Sequence, residues 1–169
     1  VLAARHKGEF EFSGERLVLA GHSLGALTAL LAAGARPQEG LAQRCGQDLD
    51  DLPVNNLSRL LPCQIVEVEL PSFRPPDQLA AVIGLNSFGS LLWPRRLDLK
   101  DSLPVFLSGG TLDLITPPLS EQVGLLRALP FHPGTRAVLI EGASHFSPIR
   151  VEGQNGTGRG EDVFQLGEE

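Results

Sequence analysis

Three side chains in this sequence have the types and the order needed for nucleophilic acyl transfer: Ser23, Asp113 and His145. Ser23 lies in "LVLAGHSLGALTALL", where Gly21-His22-Ser23-Leu24-Gly25 forms a G-x-S-x-G pattern between an apolar, strand-like run and a run of small, helix-forming residues. A serine hydroxyl is a weak nucleophile at neutral pH, so it requires a base, and the base requires an acid that orients it. A serine on a sharp strand-to-helix turn adopts a strained backbone. The flanking glycines are expected to remove side chains that would strike the neighbouring strand and helix. The hydroxyl then projects from the C-terminal edge of a sheet, with the helix start below it. On this reading the Leu24 N–H is placed to donate to an oxyanion.

In the fold that a strand, G-x-S-x-G and helix sequence suggests, the acid and then the base are expected to follow the serine, each just past a later strand. Asp113 meets this condition in "PVFLSGGTLDLITPP", and His145 meets it in "RAVLIEGASHFSP". The alternatives fit less well. His6 precedes the visible core, His132 sits in a "PFHPG" turn ahead of a strand, and His22 is on the elbow itself, where it cannot reach back to serve Ser23 as base. Asp98 and Asp101 precede their strand and would fall at the wrong end of the sheet. Glu141 is the fallback acid but is too near His145 along the chain to orient it easily.

The elements that must hold these groups follow from hydrophobic periodicity. Strands are expected over 16–20, 80–85, 104–108 and 136–141, and helices over 24–34 and 119–129. In the second helix Leu119, Val123, Leu126 and Leu129 would share a face. The strands are apolar throughout rather than alternating, and they interleave with helices. That pattern indicates an α/β fold: a mostly parallel sheet with helices on both faces. Residues 35–76 are polar and broken by prolines, and they read as an excursion with one or two short helices, either a lid or a surface decoration. The stretch 151–169 is a polar, glycine-rich tail, in which Asn155 opens a weak glycosylation sequon.

The whole-chain numbers narrow the function classes. The chain has 169 residues, 42% of them hydrophobic, and a net charge of −6. That size allows one domain with a sizeable core, and the acidic balance argues against a nucleic-acid partner. No apolar run reaches the ~18 residues of a membrane span. Cys45 and Cys63 lack zinc or redox spacing; they are read either as two buried thiols or as a disulfide, which would point to an exported protein.

The segments "GHSLGALTALLAAGA", "PVFLSGGTLDLITPP" and "IEGASHFS" resemble the α/β-hydrolase superfamily. More narrowly, "LAQRC…LLPCQ" followed by "LAAVIGLNSFGSLL" is similar to bacterial, especially cyanobacterial, serine hydrolases of the dienelactone-hydrolase-like and platelet-activating-factor-acetylhydrolase-like groups. The resemblance spans roughly residues 14–150 and implies the C-terminal part of such a domain, within 1–150. It implies Ser23 as nucleophile, Asp113 as acid, His145 as base and Leu24 as backbone oxyanion donor. The family's N-terminal strands and second oxyanion loop have no counterpart in the chain. Dienelactone hydrolases proper use cysteine where this chain has Ser23, so their lactone substrate is not expected. The implied activity is hydrolysis of a small-molecule carboxylic ester with no metal or organic cofactor. Other acyl hydrolases on the same fold (thioesterase, peptidase, lipase-like) and an inactive binding module are the alternatives. His22, Phe88 and Trp93, with Leu91 and Leu92 beside them, are candidates to line an apolar substrate pocket; ordinary core packing is the competing reading.

Overall fold

A computed structural model describes residues 16–51, 57–68 and 73–148. The tail from 151, Asn155 and His6 lie outside the described residues. Among the described residues four strands form one sheet: β1 (Leu17–His22), β2 (Leu79–Leu85), β3 (Val105–Gly110) and β4 (Arg136–Ile140). They lie side by side in chain order and all pairs are parallel. Helix α1 (Leu24–Ala32) follows β1 directly, and α4 (Gln122–Ala128) connects β3 to β4. The protein is an α/β fold, as the interleaving of strand-like and helix-like runs requires.

The 35–76 excursion contains α2 (Leu41–Asp51), α3 (Leu57–Leu60) and a 3-10 helix (Leu61–Ile65). Its attachments are firm. Gln38 N–H donates to Leu92 O, and the Arg44 guanidinium donates to the carbonyls of Gln38, Glu39 and Leu91. A disulfide joins Cys45 to Cys63, so the two-thiol reading is set aside. The bond links α2 to the 3-10 helix, within a segment whose sparse apolar content gives little packing of its own.

The register explains which residues are core. Leu19 pairs with Val82, Val82 with Val105, and Leu107 with Ala137, so these side chains share one face. Both long-range helices pack there. A Cβ at Gly84 would point at Ala26 of α1, and one at Gly109 would meet Gln122 of α4. The cluster formed with Leu27, Leu30, Leu92, Leu125 and Leu129 is the core. The opposite face carries Val18, Ile83, Phe106, Val138 and Ile140. Among the described residues it is less covered, with Ile140 49% exposed. The expectation of helical cover is thus met on one face by α1 and α4.

The second helix differs from its expected face. It begins at Gln122, and Gln122, Leu125 and Ala128 are buried, whereas Leu119 is 73% exposed. The cause is a polar anchor: Gln122 Nε2 donates to Ser87 O at 2.9 Å, in space left by the missing side chain of Gly109. An apolar-only pattern cannot register a buried glutamine. Among the described residues no helix is long and apolar enough to cross a membrane.

Candidate active site

The C-terminal ends of all four parallel strands converge on one rim, and each supplies part of the site. Ser23 follows β1 with φ 54°, a left-handed conformation rare for a residue with a side chain. Its N–H extends the ladder to Leu85 O, and its carbonyl accepts from Ala26 and Leu27 of α1. The turn is therefore held from both sides, as a strained functional residue must be. Gly21 is required sterically, because a Cβ there would strike the carbonyl group of Gly25. Gly25 is not required in the same way: a Cβ at that position meets nothing among the described residues. The steric argument for two glycines holds for one of them. The Leu24 N–H opens α1 and has no acceptor among the described residues, so it is free to bind an anion at the helix start.

Asp113 sits in the turn after β3. Its Oδ1 accepts from the backbone N–H of Ile115 (2.9 Å) and Thr116 (2.8 Å). Its Oδ2 accepts from His145 Nδ1 (2.9 Å), Thr116 Oγ1 (2.6 Å) and Asn86 Nδ2 (2.5 Å). Burial pushes the Asp113 carboxyl upward, but the bonds from His145, Thr116 and Asn86 outweigh it and hold the carboxyl below its ordinary range. A carboxylate that accepts from Nδ1 orients the imidazole and leaves Nε2 as the nitrogen available to a general base.

His145 belongs to the loop after β4. That loop seats closely on the end of β3 because Gly110 has no side chain; a Cβ there would collide with the Ala143 carbonyl. Leu112 N–H donates to Ala143 O at 3.0 Å, and Gly142, at φ 75°, donates to Thr111 Oγ1 at 3.0 Å. The second half of the arrangement is looser. No hydrogen bond joins Ser23 Oγ to His145; the nearest polar link runs from His22 Nε2 to His145 O at 2.7 Å. Serine–histidine bonds are commonly long without substrate and tighten in the reacting complex.

Of the residues named from sequence, Ser23, Leu24, Asp113 and His145 stand on the same rim. His22 stands beside His145, the ring centroids 4.8 Å apart. Phe88 and Trp93 are 0% and 1% exposed and pack in the core among the described residues, as do Leu91 and Leu92, in line with the core-packing alternative. The Trp93 indole donates to Arg36 O at 2.7 Å, so its polar edge is satisfied inside. Glu141 lies along a cavity of about 460 Å³ between the ends of β2, β3 and β4, bounded also by Leu85, Asn86, Ile140 and Ser144. Two further residues, not expected from the sequence, complete the surroundings of Asp113. Asn86, at φ 47°, closes the strand end of β2, and Thr116 sits three residues past the acid. Signals for both existed: a polar residue ending an apolar strand on the reacting edge, and the local Asp-x-x-Thr pattern. Among the described residues no group of His, Cys, Asp or Glu is arranged to hold a metal ion. Comparison with protein-family models and with curated proteins finds no match for this chain.

Proposed function

We propose that this chain is the greater part of an α/β-hydrolase catalytic domain and that it hydrolyses small-molecule carboxylic esters through an acyl-enzyme. The reading rests on one observation: a positive-φ serine at the head of a helix shares a sheet edge with a buried Asp113–His145 pair. In the reaction, Ser23 Oγ attacks the ester carbonyl carbon while His145 Nε2 takes its proton. The carbonyl oxygen becomes an oxyanion and is met by the Leu24 N–H. Collapse breaks the bond to the alkoxy oxygen, which leaves as the alcohol with the proton from His145. Water, deprotonated by the same imidazole, then releases the acid and restores Ser23. Asp113 keeps its charge throughout and stabilises the imidazolium.

The test is covalent labelling with a fluorophosphonate probe, followed by a panel of p-nitrophenyl esters, thioesters and amides. Labelling is expected at Ser23 and absent from Ser23→Ala. Labelling that survives the substitution would remove the nucleophile assignment. The panel decides which acyl donor is preferred, with esters expected to lead.

A further inference from the structure

The geometry points to His22 as a positioning residue that sets the distance between nucleophile and base, an inference that rests on the Ser23–Asp113–His145 reading. The loop carrying His145 is tied to the ends of β3 and β4 by Ala143 O, Gly142 N–H and the Nδ1–Asp113 bond. Asn86 at the end of β2 adds a long contact from Nδ2 to Ser144 O, 3.5 Å. All of these ties orient the base toward the acid. The tie to the nucleophile's own strand is His22 Nε2–H donating to His145 O at 2.7 Å.

His22 is well suited to this task. It is the last residue of β1, paired in register with Leu85, and its neighbour is the strained Ser23. Its position is thereby fixed by the sheet ladder on one side and by the elbow on the other. The bond reaches from β1, at one edge of the sheet, to the loop after β4, at the other. The two imidazoles lie 4.8 Å apart with planes tilted by 55°, so His22 also packs against the reacting ring. With Nε2 donating to a backbone carbonyl, His22 has no free Nε2 to compete for the serine proton. Because Ser23 and His145 share no direct hydrogen bond, their approach depends on this carbonyl anchor. A displacement of about 1 Å between reacting groups can cost on the order of a hundredfold in rate.

The experiment compares His22→Phe, which keeps a ring but loses the donor, with His22→Gln, which keeps a donor of similar reach. Two readouts are taken: the second-order rate of fluorophosphonate labelling, and the exchange lifetime of the downfield His145 Nδ1 proton by NMR. His22→Phe is expected to slow labelling about 10- to 100-fold and to shorten the Nδ1 proton lifetime about tenfold. The amide protons of β2 and β3 should keep their protection, which separates positioning from loss of fold. His22→Gln is expected to recover labelling to within about threefold. Wild-type labelling and an unchanged Nδ1 lifetime in His22→Phe would overturn the proposal. If the wild type labels nowhere, the esterase reading fails by itself. The lifetime measurement still decides whether His22 holds the base: an unchanged lifetime refutes the anchor, and a shortened one supports it.

Discussion

Two buried carboxylates lie in the β3–α4 connection, and they make an instructive pair. Asp113 is 2% exposed and Glu121 is 0% exposed. Both have their oxygens filled by donors. Glu121 takes the hydroxyls of Ser58 and Ser90 on Oε1, and the backbone N–H groups of Gly89 and Ser90 on Oε2. The donors of Asp113 include the imidazole of His145, a group able to change protonation; those of Glu121 are hydroxyls and backbone N–H groups of the scaffold. On the proposed reading one carboxylate holds the group that takes up the proton, while the other pins the excursion, the loop after β2 and the start of α4 to one another. The same solution to burying a carboxyl group, saturation with hydrogen bonds, on that reading serves chemistry in one place and architecture in the other.

This contrast predicts which measurement each region will move. The largest effect should come from Asp113→Asn, which spoils the tautomer of His145: kcat on a p-nitrophenyl ester is expected to fall about 10⁴-fold, with the far-UV circular dichroism unchanged. Glu121→Ala should do the reverse. It leaves two backbone N–H groups and two hydroxyls without their acceptor, so urea denaturation should show a loss of about 4 kcal/mol, while kcat per folded molecule stays within a few-fold. Glu121→Gln should cost only about 1 kcal/mol, because the Ser58 and Ser90 hydroxyls can turn and accept from the amide. A fall in kcat as large as that of Asp113→Asn in any folded Glu121 variant would erase the distinction between the two regions.

The disulfide belongs to the architectural side. Replacing Cys45 and Cys63 together by alanine removes a cross-link spanning 18 residues and should lower stability by about 3 kcal/mol, again with little change in kcat. The smallest effect concerns acid. The Asp113 carboxyl titrates below its unfolded value, so its contribution to stability is fully present above about pH 4 and disappears as the pH falls through the folded value. Urea midpoints measured across this range should therefore fall more steeply in the wild type than in Asp113→Asn. Parallel curves would place the acid-sensitive group elsewhere.

The parts of the molecule that could be read from the chain are those governed by local sterics. The elbow at Ser23 and the strand-then-glycine approach to Asp113 each depend on neighbours a few residues away, and a parallel sheet brings the ends of successive strands to one edge. His145 followed from the same rule of position. What could not be read required knowing a distant partner. Trp93 follows a strand much as a pocket residue would, and only the carbonyl of Arg36 shows why it turns inward. Gln122 enters the core because Gly109 and Ser87 receive it. The pairing of Cys45 with Cys63 depends on how the excursion folds back.

The sequence by itself determined the kind of fold, the strained turn at Ser23 and the placing of Ser23, Asp113 and His145 just past successive strands, because backbone sterics and hydrophobic period act over short stretches of chain. Only the tertiary structure decided which donors surround the carboxylate of Asp113, which helix face is buried and that His22 meets the carbonyl of His145. Those outcomes rest on hydrogen bonds between strand ends far apart in the chain, and burial makes each such bond obligatory only once the partners have been brought together.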